Sequence, residues 1–254
     1  MKALIDADSL LYKVGFAIED KVVWNEAEVA AGLEEEKIVD YFTNLDQCYN
    51  TFDQLLDTIM YVTDCDDVLL VFTGHSNFRM DLPTSYKENR KDSRKPEGYQ
   101  KILDYAIANY PSITCDYMEA DDYVVWRKTA EPEDWIVCAI DKDVLYQTEG
   151  THYNYGKGEE VEVTAEEATY YAYYQTLTGD TSDGYKGCHG IGPKKADKIL
   201  GDCENEYEMW QAVVEAYISK SQTEEEALWT MRLANMHQYD GTTIKYWNPP
   251  VAPE

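Results

Sequence analysis

Acidic residues follow three short apolar runs of the sequence, at the points where strands of a sheet would end. The runs are ALI (3–5), TCDYM (114–118) and WIVCAI (135–140), while a fourth run, VLLVF (68–72), has no carboxylate directly behind it. The acidic residues are Asp6, Asp8, Glu119, Asp121, Asp122, Asp141 and Asp143. Because the carboxyl ends of parallel strands meet at one edge of a sheet, we expect these side chains to converge there.

Converging carboxylates repel one another, so the arrangement predicts a cation among them. No His or Cys accompanies them, and an all-oxygen ligand set favours Mg²⁺ or Mn²⁺. Two such ions about 3.5–4 Å apart would stabilise the attacking and leaving oxygens of a phosphoryl displacement. A single Asp at a helix start has an ordinary explanation, since capping and the helix dipole contribute about 0.3–1 kcal/mol. Repetition at one edge favours the metal site, so the predicted reaction is metal-dependent phosphodiester hydrolysis.

The four apolar runs alternate with longer stretches of helical character, which is typical of an α/β fold. This alternation predicts a mostly parallel central sheet with helices on both faces. Helices are predicted over 27–63, 97–109 and 120–130, and residues 164–240 are expected to be wholly helical. An apolar stripe within 33–60 is interpreted as core packing. Its members are Ile38, Phe42, Leu45, Tyr49, Phe52, Leu55, Leu56 and Ile59.

The segment QTLTGDTSDGYKGCHGIGPKKADKIL (175–200) carries two further aspartates and then starts a helix. Gly190 and Gly192 permit a tight turn, and Pro193 is favoured at the first position of a helix. Lysines beside the free amides of that helix start make a phosphate-binding end. The charged residues concerned are Asp180, Asp183, Lys194 and Lys195.

The net charge of −27, taken alone, argues against a polyanionic partner. Two segments with an excess of basic residues, called basic islands below, give the chain local positive charge. Residues 79–101 carry seven basic and four acidic residues, and residues 184–200 carry four basic and one acidic. Solvated helix faces commonly carry mixed charges, so either island alone is weak support for nucleic-acid binding.

Cysteine spacing and hydropathy bear on the compartment. The six cysteines are scattered without a CxxC pair, which argues against a zinc site or a disulfide framework and suits a reducing cytosol. The start MKALIDADSLLYKV has no long apolar segment, and no later run approaches the length of a membrane span. The sequence therefore predicts a soluble, unexported, cytoplasmic protein.

Taken together, the motifs resemble the 5′→3′ exonuclease and flap endonuclease family, particularly its phage-encoded exonucleases. They occur in family order as LIDADSLLYK (4–13), NFRMDLPTSYKENRK (77–91), MEADD (118–122), IDKDVL (140–145) and GDTSDGYKGCHGIGPKKA (179–196). The resemblance implies a PIN-like, resolvase-like nuclease core over 1–160 with a basic arch over about 77–101. It further implies a helical DNA-binding region over 161–246 with a helix–three-turn–helix, followed by a tail over 247–254.

The resemblance also implies residue roles. Two divalent ions would be held, directly or through water, by Asp6, Glu119, Asp121, Asp122, Asp141, Asp143, Asp180 and Asp183. The scissile phosphate would be contacted by Lys87 and Arg90. DNA would be contacted by Tyr12, Lys13, Arg79, Tyr86, Lys91, Arg94, Lys186, Gly190, Gly192, Lys194 and Lys195, with the two tyrosines stacking on an unpaired base. In many relatives a K⁺ ion joins the helix–three-turn–helix to DNA through backbone carbonyls.

One departure from the family concerns the second strand, which in relatives ends in an aspartate. Here VFTGHS (71–76) has Thr73 and Gly74 at the candidate positions. Either the first metal site is looser or another acid such as Asp8 substitutes.

The implied function is a Mg²⁺- or Mn²⁺-dependent nuclease acting at 5′ ends or flaps of DNA, or on RNA–DNA hybrids. Its setting would be phage replication, recombination or primer removal with replication proteins, in the cytoplasm of a bacterial host. The alternative is a catalytically weakened DNA-binding module of the same fold. A toxin-like ribonuclease is disfavoured by residues 179–200, and a small-molecule phosphatase would leave both basic islands without a purpose.

Overall fold

The computed structural model describes residues 1–32, 36–90 and 93–253. Its strands are β1 (Lys2–Asp6), β2 (Asp20–Val23), β3 (Val39–Phe42), β4 (Asp67–Thr73), β5 (Ser112–Cys115), β6 (Trp135–Ala139), β7 (Gly150–Asn154), β8 (Glu159–Val163), β9 (Gly179–Asp180) and β10 (Tyr185–Lys186). Its α-helices are α1 (Asp8–Ile18), α2 (Glu26–Ala30), α3 (Leu45–Val62), α4 (Tyr99–Asn109), α5 (Ala120–Ala130), α6 (Lys142–Tyr146), α7 (Ala165–Thr178), α8 (Pro193–Leu200), α9 (Glu206–Ser219) and α10 (Glu224–Ala234).

The central sheet has the strand order β5-β4-β1-β6-β7-β8. All neighbouring pairs are parallel except β7 and β8, which are antiparallel. Every residue of β6 is buried, which explains why its sequence is a continuous apolar run rather than an alternating one. The predicted mostly parallel α/β sheet is confirmed.

Helices cover both faces of this sheet, because successive side chains of a strand point to opposite faces. Ile5 packs into a cluster with Leu10 of α1 and Phe52 of α3. Leu4, its neighbour in β1, packs on the other face with Val124 of α5. Burial of these apolar side chains fixes the strand ends, and the strand ends in turn position the acidic residues that follow them.

The predicted helix over 27–63 was wrong in its middle part. Residues Val39–Phe42 form β3, which pairs with β2 in an antiparallel hairpin. Helix α3 begins only at Leu45, where the side chain of Asn44 accepts a hydrogen bond from the amide of Gln47. Ile38 and Phe42 are consequently exposed, and they do not belong to the core stripe that α3 continues.

Two further predictions of secondary structure were wrong, and one pair of strands was not predicted. The strand expected over 114–118 ends at Cys115, since Tyr117 adopts a φ of 60°. Residues 164–240 are not wholly helical, because the β9–β10 hairpin separates α7 from α8 and α10 ends at Ala234. The pair β7 and β8 extends the sheet where no strand was predicted.

Two glycines make the β9–β10 hairpin possible. A Cβ atom on Gly179, whose φ is 71°, would lie 2.3 Å from the amide nitrogen of Gly187. A Cβ atom on Gly187 would lie 2.4 Å from the amide nitrogen of Gly179. The chain can therefore fold back at this point only with glycine on both sides, and the loop that carries Asp180 and Asp183 follows from it.

The helices on both sides of the hairpin bury a core of their own. Leu177, Trp210, Tyr217 and Met231 from α7, α9 and α10 form its fully buried centre. Trp247, at the start of the predicted tail, packs edge-on against Trp210 at 4.9 Å between ring centroids. Among the helices in the described part of the chain, none combines the length and apolarity needed to cross a membrane.

Candidate metal centre

A cavity of about 410 Å³ opens at the carboxyl edge of the central sheet. Five of its lining residues are acidic and three are basic. The acidic residues are Asp6, Asp8, Glu119, Asp121 and Asp141, and the basic residues are Lys87, Arg90 and Lys95. The ends of β1, β4 and β6 and the starts of α1, α5 and α6 thus bring together carboxylates that lie far apart in the sequence.

The carboxylates belong to strand ends and helix starts. Asp6 ends β1, Glu119 directly precedes α5, and Asp141 directly precedes α6. Oδ1 of Asp141 accepts a hydrogen bond from the amide of Asp143 at 2.9 Å. The helix-capping role that the sequence leaves open therefore applies to Asp141, through one of its two carboxylate oxygens.

Asp6 and Asp121 in the cavity resist ionisation. Burial raises the pKa of Asp6 well above its ordinary value, and the charges of Asp8 and Asp141 raise it further. Burial likewise raises the pKa of Asp121, with Asp6 and Asp141 adding to the effect. The repulsion among these groups is the electrostatic condition under which a divalent cation binds favourably.

The pKa of Glu119 is shifted in the opposite direction. Its burial favours the neutral form, but the charges of Lys87 and Arg79 outweigh this effect and lower its pKa to about 2. Lys87 Nζ contacts Glu119 Oε1 directly, and it lies 3.7 Å from Asp183 Oδ2. Arg90 Nη2 contacts Asp183 Oδ1 at 2.5 Å. Two cations of the arch segment therefore neutralise carboxylates of the site.

Residues 87–90 of the arch segment also donate hydrogen bonds to backbone carbonyls of the loop after β9. The amide of Lys87 donates to the carbonyl of Asp183 at 2.7 Å, and Nε of Arg90 donates to the carbonyl of Ser182 at 3.0 Å. Asn89 Nδ2 donates to the carbonyl of Thr181 at 3.1 Å. Residues 87–90 thereby keep their basic side chains at the cavity.

The donor set fits divalent cations by its chemistry, since it offers hard carboxylate oxygens and excess negative charge. Within the ranges that the structure describes, no three carboxylate, imidazole or thiol groups stand ready to hold an ion. Lys87 and Arg90 hold Glu119 and Asp183, so an ion would have to compete with these two cations.

Asp143 and Asp180 form a second acidic group beside the cavity. Burial, followed by the charge of Asp141, raises the pKa of Asp143 to about 7. Tyr171 donates its hydroxyl to Asp143 at 3.2 Å. Lys142 Nζ lies 3.5 Å from Asp180 Oδ2. The sequence reading missed Lys142 and Tyr171, and the place of Lys142 within IDKDVL was the available signal.

Arg79 and Asp122 require a correction. Both side chains are fully buried, and the guanidinium binds both carboxylate oxygens of Asp122 at 2.7 Å. Arg79 also donates to the carbonyls of Leu233 and Asn235, at 3.0 and 3.2 Å. Arg79 is therefore not placed to contact DNA, nor Asp122 to hold an ion. Asp122 Oδ2 also accepts from the amide of Glu119 at 3.1 Å, so the pair fixes the start of α5.

Tyr86 and Arg94 also differ from their predicted roles. Tyr86 is 3% exposed, and its hydroxyl lies within hydrogen-bonding distance of the Glu119 and Asp183 carboxylates, so its ring cannot stack on a base. Arg94 pairs with Glu19 and lies 3.7 Å from the ring centroid of Tyr41. Its charge is thus engaged on the protein surface.

The remaining predicted DNA contacts lie in two places. Tyr12 lines the cavity and packs against Tyr99, while Lys13 is exposed on α1. The other exposed residues lie on β10 and around the start of α8, and they are Lys186, Gly190, Gly192, Lys194 and Lys195. Lys195 Nζ donates to the carbonyl of Gly190 at 2.7 Å. Lys91 lies outside the described residues.

No family model matches the chain. In sequence it is 30% identical to an exonuclease of Escherichia phage T7 over 138 residues, which are 51% of this chain and 46% of that protein. It is 29% identical to an exodeoxyribonuclease of Enterobacteria phage T3 over 143 residues, 53% of this chain and 47% of that protein. The matched segments thus span about half the length of these curated relatives.

Solved structures share the fold over nearly the whole chain. A bacteriophage T5 flap endonuclease with DNA and metal ions has a TM-score of 0.67 and 14% identity, covering 94% of this chain and 90% of that one. The resemblance to the phage 5′→3′ exonucleases and flap endonucleases is confirmed. The catalytic core of Rad2 with DNA gives a TM-score of 0.57 and 14% identity, covering 98% and 84%.

Arg79→Met should lower the free energy of unfolding by about 3–5 kcal/mol, because it leaves the Asp122 carboxylate buried without a compensating charge. Urea unfolding measures the effect. A second change, Asp122→Asn, removes the charge but keeps an acceptor for the Glu119 amide, so the double variant should regain part of the loss. An Arg79→Met protein of unchanged stability that binds DNA more weakly would restore the DNA-contact role.

The pKa of Asp143, raised to about 7, makes stability depend on pH. From its ordinary value of 3.8 up to about 7, the folded state binds more protons than the unfolded state, so stability falls as pH rises. In chelator, Asp143→Asn should therefore gain increasingly in melting temperature relative to the wild type between about pH 4 and pH 7. Asp57→Asn, which alters an exposed acid on α3, serves as control. A gain that does not grow with pH would contradict the assignment.

Proposed function

We propose that the chain is a divalent-metal-dependent nuclease that hydrolyses phosphodiesters at the 5′ ends of DNA. The observation that carries this proposal is the cavity in which five carboxylates meet Lys87 and Arg90. The T7 and T3 relatives support it, since both are named as exonucleases. The T5 flap endonuclease solved with DNA and metal ions supports both the substrate and the dependence on divalent ions.

The residues that would hold two Mg²⁺ or Mn²⁺ ions are Asp6, Glu119, Asp121 and Asp141 around the cavity, with Asp143, Asp180 and Asp183 beside it. When bound, such ions supply Lewis-acid stabilisation and lower the pKa of water. Lys87 and Arg90 donate to the phosphate oxygens as their charge develops. Tyr86 holds the Glu119 carboxylate in place through its hydroxyl.

The start of α8 would bind the duplex through phosphates rather than bases. Gly190 adopts a φ of 70°, and no atom lies within 4 Å of a Cβ placed on Gly190 or Gly192, so a backbone phosphate can approach closely. Lys186, Lys194 and Lys195 surround this turn. A K⁺ ion would use carbonyls of the same turn, where Lys195 already binds the carbonyl of Gly190.

The cellular setting follows from the phage relatives and belongs to the proposal. The chain would act in the cytoplasm of a bacterial host, in replication, recombination or primer removal. RNA–DNA hybrids are a second substrate class, because phosphate contacts do not require the sugar to be deoxyribose. Replication proteins would be its partners there.

A catalytically weakened DNA-binding module is the second candidate. The observation that favours it is the absence of a carboxylate at Thr73 and Gly74, at the end of β4. Such a module would bind branched or recessed DNA without product formation.

A time course of product lengths on 5′-labelled duplex, flap and RNA–DNA substrates separates the two candidates. We expect short products from the 5′ end with Mg²⁺ or Mn²⁺ and none with chelator. Asp141→Asn should abolish cleavage while the metal-free protein remains equally or more stable. Cleavage in chelator, or normal cleavage by Asp141→Asn, would refute the metal-dependent mechanism, whereas binding without products would favour the second candidate.

Lys87 and Lys194 should respond differently to replacement by Ala. Lys87→Ala should lower kcat by about 100-fold with a smaller change in Kd, since its contact strengthens in the transition state. Lys194→Ala should weaken binding to all sequences alike and flatten the dependence of log K on log salt by about 0.9. Lys2→Ala, at the opposite edge of the sheet, is the control. A Lys87→Ala enzyme that loses only affinity would count against the role at the reacting phosphate.

A further inference from the structure

The end of β4 carries no carboxylate, and its backbone leaves no room for one at Gly74. A Cβ atom on Gly74 would lie 2.2 Å from the backbone oxygen of Cys115 in β5, so a side chain is excluded. Thr73 has another task, because its Oγ1 accepts a hydrogen bond from the amide of Ala120 at 2.9 Å. The backbone of β5 therefore excludes a side chain at Gly74, and the side chain of Thr73 is bound to the start of α5.

Asp8 lies beside this gap although it comes from another strand. The amide of Ala7 continues the pairing of β1 with β4 by donating to the carbonyl of Val71 at 3.0 Å. The turn into α1 is thereby held against the end of β4. There, Oδ2 of Asp8 accepts a hydrogen bond from the amide of Thr73 at 3.1 Å. The Asp8 carboxylate thus reaches the position that follows β4 in space.

Asp8 also shares the environment of the other acidic residues. It lines the same cavity as Asp6, Glu119 and Asp121. A residue needed only to start α1 or to bind the Thr73 amide would not have to stand among other carboxylates.

We propose that Asp8 supplies a metal site with the negative charge and oxygen donor that the end of β4 lacks. This inference rests on the proposed function, since it assigns a residue to the same divalent-metal site. It explains how Gly74 is compatible with a working site, because the missing charge is delivered from the first turn of α1.

Asp8→Asn is the discriminating variant, because its amide oxygen still accepts from Thr73 while its charge is lost. Calorimetric titration of Mn²⁺ into the DNA-free protein should show affinity lowered by about 10- to 100-fold. The melting temperature in chelator should stay equal or rise. Asp8→Ser, which also suits a helix start, gives the same comparison should Asp8→Asn fold poorly. Asp57→Asn, on the exposed face of α3, is the matched control and should bind Mn²⁺ like the wild type.

Unchanged Mn²⁺ affinity in a folded Asp8→Asn or Asp8→Ser protein would overturn the proposal and leave Asp8 a structural contact of β4. Failure of the proposed function looks different. In that case the wild type itself would bind no Mn²⁺ in the titration and would give no products with any divalent ion.

Discussion

Repulsion among carboxylates gathered at one edge of the sheet is the constraint on which this structure depends. The strand ends and helix starts that carry Asp6, Asp121 and Asp141 hold them together, so that Asp141 raises the pKa of Asp6, and both raise the pKa of Asp121. The chain offsets part of this cost with Lys87 and Arg90, which reach Glu119 and Asp183 from the arch segment. A reacting phosphate would need the same two cations. Lys87 and Arg90 thus neutralise carboxylates in the site without substrate and would contact the phosphate once substrate is bound.

The precision of the site comes from polar contacts that lie behind it. Arg79 joins Asp122 to the carbonyls of Leu233 and Asn235, so one guanidinium fixes the start of α5 against the C-terminal end of α10. Asp122 in turn holds the amide of Glu119. Because such a pair is fully buried, it adds little net stability but tolerates few alternative arrangements.

The sequence predicted the convergence of strand-end carboxylates, because continuous apolar runs identify buried parallel strands and parallel strands share an edge. It could not tell which acidic residues of MEADD face the cavity. Glu119 and Asp121 do, whereas Asp122, one residue later on the helix, points into the core toward Arg79. Spacing likewise could not reveal that Tyr86 is buried, or that Asp8 reaches the end of β4 through a backbone amide. These outcomes depend on tertiary contacts between segments far apart in the chain.

Anomalous diffraction from crystals grown with Mn²⁺ would show directly whether the cavity at the sheet edge binds divalent ions. We expect Mn²⁺ in the cavity among Asp6, Asp8, Glu119, Asp121 and Asp141, with the ammonium of Lys87 moved away from Glu119. A cavity without Mn²⁺, in which Lys87 and Arg90 keep their contacts with Glu119 and Asp183, would contradict this metal site.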